Sequence, residues 1–167
     1  MNAKAALETQ FLATLAMLNQ IVDRCPDAIW DDPADENKVW HVAYHALFYA
    51  HLYLSQKDEE MEPWPKAREN YNVLGDTMPF PPHDPVDHSI PYTKDDIREY
   101  IEFCRSQVRK QIAAVDLEAA ESGFFWIPLS KFELQLYNMR HLQSHVGELA
   151  HRLWIGGVST DWIGQPE

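Results

Sequence analysis

The sequence predicts an all-α protein built as a four-helix bundle, and three observations carry that expectation. Apolar residues recur at spacings of three and four along four stretches of roughly 20 residues, each tracing one face of a helix. No segment shows sustained period-two alternation. Seven of the 11 prolines fall between residues 63 and 91, so the strongest helix breakers are gathered in one connection.

The first helix is expected over Ala3–Arg24, where Leu7, Phe11, Leu15, Leu18 and Val22 share a face and Pro26 follows the end. The second is expected over Asn37–Gln56. It is rich in aromatic residues (Trp40, Tyr44, Phe48, Tyr49, Tyr53) that read as core. The Pro-rich connection, residues 57–92, is too long for a hairpin turn. It would carry the chain back along the bundle and make the second and third helices parallel, with Trp64 packed on them. Thr93 is a good N-cap for the third helix, with Asp95 and Asp96 in the first turn, where the helix dipole favours negative charge. Its stripe is Ile97, Ile101, Cys104, Val108, Ile112 and Val115. Phe124, Phe125 and Trp126 suggest that the next connection also packs on the bundle. The fourth helix opens near Ser130, with Glu133 completing a capping box. Phe132, Met139, Val146 and Leu153 repeat every seven residues, and Gly156-Gly157 ends the helix. No repeat or linker divides the chain, so residues 1–167 read as one domain.

Composition narrows the function. The formal charge of −12 speaks against nucleic acid and against an anionic membrane surface, both of which call for basic patches. No apolar run reaches the ~18–20 residues of a membrane span. The opening MNAKAALETQ does not have the pattern of a signal peptide. Two cysteines far apart, Cys25 and Cys104, suit a reducing cytoplasm rather than a disulfide framework. Cys104 reads as core and Cys25 as a partly exposed thiol.

The eight histidines are the main clue. His141 and His145 stand four apart on the fourth helix, a spacing that lets two imidazoles share one metal ion. Glu148 lies on the same face as a fourth ligand, an acceptor for an imidazole N–H, or a general base. Tyr137 extends the face by one turn. His41 and His45 form a second such pair, of which one or both could contribute. His51 and His151 face elsewhere, and His83 and His88 read as solvated loop residues. Paired histidines also arise as core or surface residues, but inward ligands from two helices are how bundles build metal sites.

Three segments resemble the DinB-like family of metal-binding four-helix bundles. Val39–Leu54, containing Trp40-His41-Val-Ala-Tyr-His45, is similar to the family's first ligand helix. Leu136–Leu149, containing Arg140-His141-Leu-Gln-Ser-His145, is similar to its HxxxH helix. Tyr92-Thr-Lys-Asp-Asp-Ile97 through Arg105 looks like the third helix of one branch. The resemblance implies an up-down-down-up bundle and three ligands for a divalent metal; all-imidazole ligation suits zinc, nickel, iron and copper alike, so the sequence leaves the metal's identity open. By position the three ligands are His45, His141 and His145, with His41 a neighbour one turn away. It further implies transfers or isomerisations of low-molecular-weight thiols. A related domain supplies the iron site of ergothioneine-forming sulfoxide synthases. Val146-Gly147-Glu148 stands where many members carry Arg-Gly-Gln, which leaves the substrate class open.

The expectation is therefore a cytoplasmic, homodimeric, metal-dependent enzyme acting on a small-molecule substrate, with Glu148 or Tyr137 moving a proton. A non-catalytic bundle or ligand-sensing module with a structural or vestigial metal is the alternative. A DNA-repair role is disfavoured by the charge.

Overall fold

The computed structural model describes residues 2–166. α1 (Ala3–Arg24) begins where the Asn2 side chain accepts the amide of Ala5, and it turns Leu7, Phe11, Leu15, Leu18 and Val22 inward. Cys25 and Pro26 end it. Pro26 at once opens a single turn, α2 (Asp27–Trp30), too short to announce itself by periodicity. α3 (Val39–Leu54) is two residues shorter at each end than the expected Asn37–Gln56. The flanking side chains are used to tie loops down. Asn37 Oδ1 accepts the amide of Gly75, and Gln56 Oε1 accepts that of Asp116. α4 (Lys94–Ala114) and α5 (Lys131–Ile155) both open on capping boxes, Thr93 with Asp96 and Ser130 with Glu133. No β-strand occurs among the described residues, and none of their helices is long and apolar enough to cross a membrane.

Paired contacts fix the topology. α1 runs antiparallel to α4, with Lys4 Nζ on Ala113 O at one end and Arg98 on Asp23 at the other. α3 and α4 run parallel: Tyr44 stacks on Tyr92 just before α4 begins, His51 meets Phe103, and Gln56 meets Asp116. α5 is antiparallel to α3 and parallel to α1. The four long helices close a ring in the order α1, α4, α3, α5, and their directions are up, down, down, up. The Pro-rich connection returns the chain along the bundle as expected. Trp64 is buried in it and stacks on Tyr100 with ring centroids 4.4 Å apart.

The register of α5 on α3 is set by buried donors that hydrophobic periodicity does not register. Lys131 Nζ donates to Ser55 O and Gln56 O (3.1 and 2.8 Å), Gln135 Nε2 to Tyr53 O (2.7 Å), and Asn138 Nδ2 to Ala50 O (3.0 Å). Gly123 closes over the same end of α3 with φ +84°; a Cβ there would stand 2.0 Å from Gln56 O.

Several expectations are corrected. Phe132 is exposed, because Leu134, Gln135 and Asn138 take the inner face of α5 instead. Phe124 is buried, but Phe125 is 94% exposed and Trp126 also faces outward. The Ser122 hydroxyl, bonded to the carbonyls of Phe124 and Ile127, ties a tight turn in which neighbouring side chains diverge. Cys25 is buried at the α1–α2 corner rather than partly exposed, and burial pushes its thiol up to about 11.

Candidate metal centre

The ladder of donors between α5 and α3 continues, one turn further along, into histidine. α3 contributes His45, and α5 contributes His141 and His145. One candidate ligand atom from each ring lies within 4.8 Å of the other two. Ring centroids are 5.2 Å apart for His45–His141, 4.9 Å for His45–His145 and 4.7 Å for His141–His145.

Hydrogen bonds orient two of these rings. His45 Nδ1 lies 2.7 Å from Asn72 O. A carbonyl only accepts, so Nδ1 carries the hydrogen and Nε2 keeps the lone pair. That Nε2 faces His141 Nε2 at 3.2 Å. His145 Nδ1 donates to Glu148 Oε2 at 3.0 Å, which leaves its Nε2 as the available donor atom. The second Glu148 oxygen pairs with Arg152, and Arg152 Nη1 reaches back to Asn37 O at 2.6 Å and Asp35 at 3.4 Å. His141 Nδ1 is buried without a partner among the described residues.

Burial, and to a smaller degree the mutual repulsion of the rings, lowers His45 to about 3 and His141 to about 4. Both are neutral at physiological pH, the form that ligates metal. Two imidazole nitrogens bound to one ion at about 2.1 Å each stand roughly 3.0–3.4 Å apart, and the observed 3.2 Å falls in that range. The donor set therefore fits a divalent cation.

A cavity of about 220 Å³ opens beside the cluster, lined by His45, Tyr49, Tyr53, Tyr137 and His141. Tyr49 packs edge-on to both His45 and His141. A larger cavity of about 800 Å³ lies along the 120–130 connection and contains no imidazole.

The remaining histidines separate cleanly. His41 is buried, stacked on Trp40, and stands outside the cluster although it shares a helix face with His45. His51 is buried against Tyr100 and Phe103, while His83 and His151 are exposed. His88 is half-buried rather than solvated, because its ring lies on that of His41 at 4.1 Å.

A family model of the DinB superfamily matches residues 10–149. The chain belongs to the DinB superfamily. The matched span contains all three clustered histidines and Glu148, and it stops before Arg152. No curated protein and no solved structure matches the chain. Within this DinB-superfamily bundle, sequence reasoning missed Tyr49, Arg152 and Asn72. Tyr49 follows His45 by four residues and Arg152 follows Glu148 by four, so helical spacing could have found both. Asn72 contributes to His45 through its backbone, which leaves no trace in residue identity.

Proposed function

We propose that this DinB-superfamily chain is a metal-dependent enzyme that transfers or rearranges a small-molecule thiol. His45, His141 and His145 would hold the divalent ion, be it zinc, nickel or iron. The observation that carries the reading is the convergence of three imidazoles at the edge of a tyrosine-walled cavity. When bound, such an ion supplies positive charge that acidifies a thiol or a water beside it.

The chain's own residues supply position and proton handling. Glu148 holds His145 by its Nδ1–H and so directs Nε2 to the centre. Both of its oxygens are engaged, so in this reading it orients rather than acts as a base. Tyr137, on the cavity wall, is the group that gives or takes a proton at the substrate. Burial raises the thiols of both Cys25 and Cys104, so the reacting thiol arrives with the substrate. The chain acts in this reading as a cytoplasmic homodimer on a small molecule, apart from nucleic acid and membrane; light scattering on the purified protein checks the dimer.

Metal analysis of untagged protein tests the centre. The expected result is a divalent ion in the wild type and its loss on replacing His141 and His145 with Ala. A wild type that binds no divalent ion sinks the proposal. Turnover is then assayed with a generic electrophile and several cellular thiols. A metal-loaded protein that is inactive with all of them, and that melts much earlier after chelation, assigns the ion a structural role instead.

A further inference from the structure

We infer that His41, which stands outside the ligand cluster, is a positioning residue that holds His45 and Tyr49 in place through the backbone of residues 70–72. The inference rests on the metal-centre reading above. Three consecutive carbonyls each accept from a different imidazole. Asn70 O accepts from His88 Nε2 at 3.1 Å, Tyr71 O from His41 Nε2 at 3.0 Å, and Asn72 O from His45 Nδ1 at 2.7 Å. Each bond fixes the tautomer of its ring, because a carbonyl has no hydrogen to give. For His45 the consequence is direct: Nε2, the nitrogen facing His141, keeps its lone pair. Asn72 acts a second time, since its Nδ2 donates to Tyr49 Oη at 3.3 Å. One short segment thus sets both a ligand's tautomer and a wall of the cavity.

No helix or strand holds that segment; it is a turn closed by Val73 N on Asn70 O, with the Tyr71 side chain buried and its hydroxyl on Ile90 O. It lies in the Pro-rich connection outside any helix, and Asn70 takes φ +62°, in the left-handed region. His41 holds it from the bundle side. The ring is 3% exposed and clamped between Trp40 and His88, with centroid distances of 5.1 and 4.1 Å. Being one turn before His45 puts tether and ligand on one face of α3, so successive carbonyls meet successive rings. This gives the first histidine of the α3 pair a role without making it a ligand.

The test uses His41→Leu, which removes the donor at similar volume, and His41→Gln, which restores an N–H at similar reach. Proton–nitrogen spectra of the imidazoles in metal-free protein read the His45 tautomer, which is Nδ1–H in the wild type. In H41L we expect that preference to be lost and cobalt(II) affinity, followed by visible absorption, to fall roughly tenfold. H41Q recovers both. His88→Ala loosens the same segment from its half-buried side; it shifts both readouts in the same direction by less, and it decides the matter where H41L does not fold. A folded H41L or H88A with wild-type tautomer and cobalt(II) affinity overturns the inference, as does an H41Q no better than H41L. If the wild type binds no cobalt(II), the metal reading fails, and the tautomer measured without metal still decides the role of His41.

Discussion

Glu148 takes the Nδ1–H of His145 on one oxygen and Arg152 on the other, and Arg152 continues to Asn37 O in the segment before α3. That chain of bonds joins a candidate ligand on α5 to the start of the helix that carries His45. A carboxylate with both oxygens committed to donors has little left to offer a substrate proton, whereas acceptors behind a ligating histidine are worth roughly 10–100-fold in metal affinity. Glu148→Gln keeps the shape but offers a single carbonyl oxygen to two donors. Its affinity for zinc, measured by competition with a chromophoric chelator, is expected to fall at least tenfold. Undiminished affinity combined with lost turnover would instead make Glu148 the base. Of these residues, the histidines and Glu148 were legible from spacings of three, four and seven. The division of labour between them was not, because it depends on which ring nitrogen each partner claims.

At the level of elements, the junction of α3 with α5 decides where the centre forms. Lys131, Gln135 and Asn138 are fully buried polar residues whose donors meet carbonyls toward the end of α3. Buried carbonyls left without donors are costly, so the four bonds from these three residues also penalise any slip in register. Lys131→Met keeps the bulk of the side chain and strips the donors from Ser55 O and Gln56 O. It should cost about 2–4 kcal/mol in urea unfolding, from two unsatisfied acceptors. A cost under about 0.5 kcal/mol, the range of ordinary surface changes, would show that solvent reaches these carbonyls. The four long helices and the capping residues at Thr93 and Ser130 were readable from periodicity and N-cap chemistry. The polar ladder was not, since a pattern of apolar residues is blind to Lys, Gln and Asn that face inward. Nor was the burial of Cys25 or the outward turn of Phe125, both set by corners where the chain leaves a helix.

Over the whole molecule, the unusual histidine content becomes a liability in acid. Burial lowers His41, His51 and His141 to about 4 and His45 to about 3, against an ordinary value of 6.5. In each case the unfolded chain binds a proton more readily than the folded one. The stability held in these groups is therefore complete above pH 6.5 and is lost as pH falls through 6.5 toward 4. Three of the four are candidate ligands or their neighbour, so bound metal would compete with the same protons, and the measurement belongs in chelator. His51 is the cleanest reporter. It is 1% exposed, outside the cluster, and packed on Tyr100 and Phe103, and the Glu62 carboxylate opposes the effect of burial without cancelling it. Its shift to about 4 corresponds to roughly 3 kcal/mol. Acid also weakens surface carboxylate pairs such as Lys66–Asp96, so absolute stability cannot isolate the imidazole. The difference between His51→Leu and the wild type can, because those pairs are common to both. Urea unfolding at steps from pH 7 to pH 4 should show that difference moving in favour of H51L by roughly 3 kcal/mol as pH falls. A difference that stays flat across the range would mean that His51 is not held neutral by its burial.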